Sequence, residues 1–521
     1  MLNSWAMNSA ESLIRTLAAA GAEVCFANPG TTEMHLVGAL DAVPGVRGVL
    51  GLFEGVCTGA ADGYGRMADK PALTLLHLGP GFANGIANLH NARRAHSPIV
   101  NLIGDHATWH VDADPPLASD IDSLARPVSS WLRVTKSADD LARDGAAAFA
   151  AAARPPGAVA TLVVPSDLAW GEAQGPAEPI ASEAPPPLVS DRIDMLARVL
   201  RSDEPSILLL GAHALRERGL RAAGRIAAAR GGCRLFCETF PARMERGAGL
   251  PAIGRLPYFP EQVIELLGSV EHLILAGVPE PVAFFGYPET PSRLVPGACR
   301  LHTLACPEED AIGALEALAD AIGASSEVAS STPAERPARP SGELTPVSLG
   351  AAITALQPEG LIVMDEAATS GLPYFLGAGG APRHTYLSLT GGAIGQGLPC
   401  ATGAAIACPE RSVLAFQADG SGMYTLQALW TQARESLDVT TLICANREYR
   451  ILRIELDRAG LREPGPQAQA LTDLTHPVID WVSLGRALGV PSERVESADA
   501  LVRELERALA EPGPHLIEAV L

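Results

Sequence analysis

Residues 416–430 read FQADGSGMYTLQALW, an apolar run that ends in an aspartate and nearby glycines and then continues as a helical pattern. SVLAFQ predicts a buried strand, residues 418–422 predict a turn, and TLQALWTQARES predicts a helix. A second predicted strand, TTLICA, leads into Asn446. Because a right-handed crossover brings the carboxyl ends of successive parallel strands to one crevice, we expect Asp419 and Asn446 to lie close together.

These two side chains and the glycine turn favour a bound cation and phosphate. Glycines that precede a helix leave backbone N–H groups open to phosphate oxygens. Mg²⁺ prefers carboxylate, amide and carbonyl oxygens. The sequence therefore predicts a magnesium–diphosphate site at Asp419 and Asn446, and the simpler alternative is an ordinary Asp-Gly turn followed by a strand-end cap.

Apolar runs alternate with Ala/Leu-rich helical segments along the whole chain. This alternation is typical of βαβ units around buried parallel sheets. It predicts an α/β fold of three doubly wound domains, with an N-terminal domain over 1–175, a central domain over 188–323 and a C-terminal domain over 344–521. Residues 324–343 are rich in Ser, Pro and Ala and predict a linker.

The composition disfavours several classes of partner. A formal net charge of −20, from 59 acidic residues against 39 Lys and Arg, opposes binding to nucleic acid or to anionic membranes. The nine cysteines are scattered without a zinc-type spacing, and an odd number argues against a disulfide scaffold. No export signal or apolar stretch long enough to span a bilayer is found. We expect a cytoplasmic protein that acts on small molecules.

The turn resembles the motif of the thiamine diphosphate (ThDP) enzymes of the 2-oxo acid decarboxylase and acetolactate synthase group. That family carries GDG, some two dozen residues and NN, and this chain has ADG, 24 residues and AN. The resemblance implies that Asp419 and Asn446 bind Mg²⁺ through their side chains and Glu448 through its backbone carbonyl. It places Gly420 and Ser421 against the cofactor diphosphate.

Two further segments resemble the same family. GLFEGVCTGAADGYGRMADKPA matches the region of the cofactor-activating glutamate, which falls on Glu54. A carboxylate that is hydrogen-bonded to the aminopyrimidine favours the imino tautomer, which deprotonates the thiazolium carbon to the ylid. LTGGAIGQGLPCATGAA matches the loop that gives the cofactor its V shape. The resemblance assigns the apolar wedge to Ile394 and the carbonyl that accepts the pyrimidine amino group to Gly392.

For the reaction itself, two segments resemble benzoylformate decarboxylase. FANPGTTE places a hydroxyl that positions the substrate carboxylate on Thr31, and TLLHLGPGFANGIANLHNA places a proton-transferring histidine on His77. The resemblance implies ylid attack on a 2-oxo acid, loss of CO₂ and protonation of the resulting enamine to release an aldehyde. A buried, hydrogen-bonded histidine and a helix-capping threonine are the structural alternatives.

Other positions depart from the known members. Phe285 or Gly286 stands where benzoylformate decarboxylase has a second histidine, and Pro115 and Pro116 replace two pocket leucines, so an aromatic substrate is not implied. Leu452 replaces an acid of pyruvate decarboxylase. Acetolactate synthase resembles the overall layout, but its Gln-Trp element is absent and the central domain carries no flavin motif. We therefore expect ThDP and Mg²⁺ without FAD.

Two alternatives remain open at this level. A carboligase forms a 2-hydroxy ketone if an acceptor carbonyl intercepts the enamine, and the sequence does not separate this fate from decarboxylation. An inactive cofactor-binding paralogue is suggested by the departures at Ala418, Ala445 and Glu448, although the carboxylate and amide ligands are retained. The family implies a homodimer or a dimer of dimers with active sites between subunits.

Four flanking residues could bind a second substrate carboxylate if they are positively charged: His106, His110, Arg450 and Arg453.

Overall fold

The computed structural model describes residues 7–325 and 331–521. Its elements confirm the predicted α/β class with three sheets in which parallel pairing dominates. The chain forms two compact units, one made of Met1–Glu183, Pro337–Leu376 and Leu389–Leu521 and the other of Ala184–Arg336 and Gly377–Ser388. The domain boundaries that we inferred from the sequence remain predictions, and residues 326–330 of the predicted linker lie outside the described part.

The N-terminal sheet has six parallel strands in the order β2-β1-β3-β4-β6-β5. Its strands are β1 (Val24–Asn28), β2 (Arg47–Leu50), β3 (Ala72–His77), β4 (Ile99–Asp105), β5 (Trp131–Val134) and β6 (Val159–Pro165). Its helices are α1 (Ser9–Ala20), α2 (Met34–Ala42), α3 (Glu54–Ala68), α4 (Leu78–Ala95), α5 (Ile121–Ala125), α6 (Ala138–Ala153) and α7 (Ser166–Trp170). Separate apolar clusters, one including Leu13 and Leu141 and the other Phe82 and Leu89, bury the strands. The sheet is therefore doubly wound.

The central segment contributes five parallel strands in the order β10-β8-β7-β11-β12. Its elements are α8 (Ser190–Arg201), β7 (Ser206–Leu210), α9 (Glu217–Ala229), β8 (Cys233–Cys237), β9 (Met244–Arg246), β10 (Gly254–Arg255), α10 (Pro260–Leu267), β11 (His272–Ala276), β12 (Arg300–Ala305) and α11 (Ala311–Ala321). Strands β7 and β11 are buried along their whole length, as expected for the middle of a covered parallel sheet.

In the C-terminal part, parallel strands run in the order β17-β18-β16-β15-β13, and β14 pairs antiparallel with β9. Its strands are β13 (Ile362–Glu366), β14 (His384–Ser388), β15 (Val413–Ala418), β16 (Val439–Ala445), β17 (Ser492–Val495) and β18 (His515–Val520). Its helices are α12 (Pro346–Leu356), α13 (Leu372–Gly377), α14 (Gly397–Ala407), α15 (Asp419–Gly422), α16 (Ala428–Arg434), α17 (Arg450–Arg458), α18 (Pro466–Ala470), α19 (Trp481–Ala487) and α20 (Ala498–Ala510).

Helices α3 and α14 pack backbone against backbone within the first unit. A Cβ at Gly63 would lie 1.9 Å from the Cys400 carbonyl oxygen, and a Cβ at Gly403 would lie 1.8 Å from that of Ala60. Only glycine permits this approach. Glycines of the two segments that resemble the cofactor-binding regions therefore allow α3 and α14 to pack closely. Helix α3 begins at Glu54, and α14 begins just after the loop that contains Gly392.

Candidate active site

The predicted cation site lies where β15 and β16 end side by side. The two strands pair in parallel as far as Ala418 and Cys444, so Asp419 and Asn446 follow at the same edge of the sheet. Asp419 is 3% exposed. Its Oδ1 accepts the Gly420 N–H at 2.8 Å and its Oδ2 accepts the Arg447 N–H at 2.7 Å. Burial raises the pKa of Asp419, and these two donors oppose that shift.

Three oxygens at this edge suit a hard cation. Asn446 Oδ1 accepts one hydrogen bond, from the Glu448 N–H at 3.1 Å, and keeps a second lone pair. The Glu448 side chain pairs with Arg453 and, at 3.6 Å, with Arg450, while its backbone carbonyl accepts no hydrogen bond from the described residues. Carboxylate, amide and carbonyl oxygens fit Mg²⁺. The described ranges contain no cluster of three or more His, Cys, Asp or Glu side chains that could hold a metal. The predicted site is not a cluster of that type, because it combines one carboxylate with an amide oxygen and a backbone carbonyl oxygen.

The turn itself differs from the sequence prediction in one respect. Residues Asp419–Gly422 form a short helical turn rather than an open turn, and α16 begins only at Ala428. A Cβ at Gly420 would lie 2.6 Å from the Tyr449 ring. Ser421 Oγ accepts a hydrogen bond from Gln417 Nε2 at 2.5 Å. At the start of this helical turn the Gly420 N–H is held by Asp419 Oδ1, whereas the Ser421 N–H has no acceptor in the described chain. The assignment of both residues to the diphosphate remains a prediction.

Residues 390–397 form a loop, here called the clamped loop, that is fixed by neighbouring side chains. Asn91 Nδ2 donates to the Ala393 carbonyl at 2.7 Å, and Asn91 Oδ1 accepts the Ala393 N–H at 3.2 Å. His90 Nε2 contacts the Gly391 carbonyl at 3.0 Å. The Gly395 carbonyl accepts the Thr425 hydroxyl at 2.8 Å. Most peptide groups of the loop are therefore already engaged.

Gly392 and Ile394 are the exceptions in the clamped loop. Neither peptide group hydrogen-bonds within the described chain. Gly392 has a φ of +78°, which favours glycine, and a Cβ there would meet nothing within 4 Å. An open carbonyl and a half-buried apolar side chain are the features that an aminopyrimidine would need. The residues fit the cofactor roles that the resemblance assigns to them.

Glu54 is the first residue of α3, at the carboxyl edge of the N-terminal sheet. Its Oε2 accepts a hydrogen bond from Asn84 Nδ2 at 3.0 Å. A Cβ at Gly81 would lie 3.0 Å from Glu54 Oε1, so that glycine leaves space beside the carboxylate. The side chain is half-buried. Its role in cofactor activation remains a prediction.

His77, the last residue of β3, lies in a hydrogen-bonded group that the sequence did not reveal. Its Nδ1 is 2.8 Å from Glu33 Oε2 and 3.2 Å from Thr32 Oγ1. Glu33 is fully buried and also accepts the Gly30 N–H at 2.7 Å. A buried carboxylate favours the proton on Nδ1 and leaves Nε2 for chemistry. The partner of His77 is thus Glu33, at 44 residues' separation.

Thr31, the predicted substrate-positioning hydroxyl, lies exposed at the start of the 3-10 helix Thr31–Glu33. The preceding Gly30 occupies the capping position, so Thr31 does not cap this helix. The hydroxyl that the structure brings to His77 belongs to Thr32. The assignment of Thr31 to the substrate remains a prediction.

The four flanking residues His106, His110, Arg450 and Arg453 divide into two pairs. His106 follows β4, its ring centroid lies 5.7 Å from that of His110, and its buried Nε2 has no partner among the described residues. Arg450 and Arg453 pair with Glu448. The arginines are therefore already engaged by an acid of the same strand end, and contact of any of the four with substrate remains a prediction.

Comparisons with known proteins identify the family of the chain. Residues 7–125 match the family model "Thiamine pyrophosphate enzyme, N-terminal TPP binding domain" and residues 374–519 match "Thiamine pyrophosphate enzyme, C-terminal TPP binding domain". The two matched segments include Glu54 and Asp419 respectively. No helix in the described ranges is long and apolar enough to cross a membrane.

Similar proteins cover nearly the full chain. "Putative acetolactate synthase large subunit IlvX" of Mycobacterium tuberculosis is 52% identical over 99% of both chains. Benzoylformate decarboxylase of Pseudomonas aeruginosa is 28% identical over 96% of both. The solved structure of the thiamine diphosphate-dependent 4-hydroxybenzoylformate decarboxylase of Rhodococcus jostii RHA1 superposes with a TM-score of 0.86 at 26% identity over 98% of each chain. The chain belongs to the family of thiamine pyrophosphate (thiamine diphosphate) enzymes.

Proposed function

We propose that this enzyme uses ThDP and Mg²⁺ to remove CO₂ from a 2-oxo acid without oxidation. The observation that carries the proposal is the Glu33–His77 pair at the carboxyl edge of the N-terminal sheet. After CO₂ leaves, the remaining carbon needs a proton before an aldehyde can depart. A histidine whose Nδ1 is held by a buried carboxylate presents Nε2 as that donor.

The other site residues have complementary roles in this proposal. Asp419, Asn446 and the Glu448 carbonyl hold Mg²⁺, and Gly420 and Ser421 contact the diphosphate. The Gly392 carbonyl and the Ile394 side chain orient the aminopyrimidine, and Glu54 exchanges a proton with it. When bound, ThDP supplies the nucleophilic carbon and the electron sink for carbon–carbon cleavage.

We further propose a homodimer, or a pair of dimers, in which each active site joins two chains. Glu54 of one chain would face the Asp419 edge of its partner. The family resemblance supports this arrangement, and a dimer with a two-fold axis would contain two equivalent sites.

A panel of 2-oxo acids tests the proposed reaction. We expect one class among aromatic, branched, linear and dicarboxylic acids to release CO₂ when ThDP and Mg²⁺ are present, and the rate to fall when EDTA removes the metal. Product analysis then distinguishes an aldehyde from a 2-hydroxy ketone. If no acid is turned over although ThDP binds, the decarboxylase proposal is wrong.

Carboligation is the second candidate, and the specific observation for it is that the relative with 52% identity bears the name "Putative acetolactate synthase large subunit IlvX". A carboligase needs an acceptor carbonyl where a decarboxylase needs a proton donor. Supplying pyruvate or an aldehyde as acceptor in the same assay separates the two. Dominant formation of a 2-hydroxy ketone, with little free aldehyde, would favour this candidate.

The Glu33–His77 pair yields a separate prediction. We expect Glu33→Gln to lower turnover by roughly a hundredfold, nearly as much as His77→Ala, because the amide can donate to Nδ1 and then stabilises the wrong tautomer. The measurement is steady-state CO₂ release at saturating ThDP. Thr32→Val is the matched control, since it leaves the Glu33–His77 hydrogen bond in place and should cost much less. Equal losses in the Glu33 and Thr32 variants would contradict the assigned orientation.

A further inference from the structure

The last residue of β13, Glu366, contacts the clamped loop at the point where the loop enters α14. Its Oε1 accepts the Gly395 N–H at 2.6 Å, and its Oε2 accepts the Gly397 N–H at 2.5 Å. Glu366 is 3% exposed. Because Gly397 opens α14, the carboxylate satisfies N–H groups that a helix start leaves without partners.

The same carboxyl is surrounded by groups that limit its movement. A Cβ at Gly397 would lie 2.7 Å from Glu366 Oε2 and 2.2 Å from Gln417 Oε1. Gln417 Nε2 in turn donates to Ser421 Oγ at 2.5 Å. Glu366 therefore stands between the loop of Gly392 and the turn of Ser421, the two elements that the proposed function gives to opposite ends of the cofactor.

We propose that Glu366 is a positioning residue for ThDP, because its carboxylate fixes the peptide groups on both sides of Gln396 and thereby sets the position of Ile394 and the Gly392 carbonyl. This inference rests on the proposed cofactor roles of those two residues. Glu366 acts through the loop and is not assigned a contact with the cofactor.

The protonation state of Glu366 supplies a specific signature. Burial raises the pKa of Glu366 to about 7, although the N–H groups of Gly397 and Gly395 oppose the shift. Above that pH both oxygens accept N–H groups. Below it one oxygen carries a proton, and one N–H loses its acceptor. We therefore expect the hold on the loop to weaken as the pH falls through about 7.

The charged groups around Glu366 do not account for the same pH dependence. Cys400 on α14 lies close enough to interact electrostatically with it, and burial raises the pKa of Cys400 to about 12. On α3, Asp62 and Arg66 form a buried ion pair at 2.8 Å. Asp365 on the same strand accepts the Ala367 N–H at 2.9 Å. Gln417, the neighbour on β15, is neutral.

The test is the affinity of the full-length chain for ThDP in excess Mg²⁺, measured by calorimetry. We expect Glu366→Gln to weaken binding about tenfold or more at a pH near 8, because the amide presents its NH₂ group to one of the two N–H donors. Near pH 6 the wild type should lose affinity, and the ratio between the two proteins should approach one. Gly397→Ala, which displaces the carboxylate without removing it, should weaken binding as well.

Glu238→Gln is the matched control. Loss of hydration also raises the pKa of Glu238 to about 7, but this residue lies in the other compact unit. It should leave ThDP binding unchanged. Equal affinity of Glu366→Gln and wild type near pH 8, an affinity ratio independent of pH, or an equal loss in Glu238→Gln would overturn the inference. Absence of ThDP binding to the wild type would instead overturn the proposed function.

Discussion

The Glu54→Gln variant is expected to lose about a thousandfold in turnover while it still binds ThDP. The reason is chemical, because glutamine can accept a hydrogen bond but cannot exchange a proton with the aminopyrimidine. The position suits this role, since Glu54 opens α3 at the carboxyl edge of the sheet and Gly81 leaves space beside its Oε1. The glutamine side chain has nearly the same size as glutamate, so the fold should be retained.

Two measurements separate activation from binding in this variant. Calorimetry should give a ThDP affinity close to wild type, and the exchange of the thiazolium proton with solvent deuterium should slow together with turnover. Glu23→Gln is the control, because that exposed acid pairs with Lys70 and precedes β1, at the opposite edge of the sheet from Glu54. Turnover of Glu54→Gln within a few fold of wild type would remove Glu54 from the mechanism.

The central strands and the sheet edge that carries the candidate site were predictable, because each is marked by a short continuous stretch of sequence. Buried parallel strands such as β15 and β16 are continuous apolar runs, and each is followed directly by a polar residue, Asp419 or Asn446. The strands that were not predicted are the short β2, β5, β9, β10 and β17 and the longer, buried β13, β14 and β18. The short strands have two to four residues and are partly exposed, so their periodicity is too short to recognise.

The supporting acids could not be found from the sequence. Glu33 reaches His77 across 44 positions, and Glu366 reaches Gly397 across 31. The sequence does not distinguish a buried glutamate from an exposed one. Only the fold determines which N–H groups surround the carboxylate. One feature of the sequence could have indicated Glu366, namely its position at the end of a buried strand. The same feature identified Asp419.

Asp419→Ala is expected to weaken the binding of ThDP with Mg²⁺ by about a hundredfold or more. Loss of the carboxylate removes a proposed metal ligand and also the acceptor of the Gly420 and Arg447 N–H groups. The addition of Mg²⁺ should then no longer improve ThDP binding. Asp457→Ala is the control, since its side chain is 65% exposed in a surface ion pair. Unchanged, magnesium-dependent binding would contradict the site.

Mixing the two inactive variants tests whether the site joins two chains. If Glu54 of one chain serves the Asp419 edge of its partner, a mixed dimer of Glu54→Gln and Asp419→Ala contains one site with both wild-type residues. After co-expression, about half of the dimers are mixed and one of their two sites is intact, so about a quarter of wild-type turnover should return. If both residues act within one chain, every site of the mixed dimer carries one substitution and no activity returns. Recovery therefore requires the active site to lie between subunits.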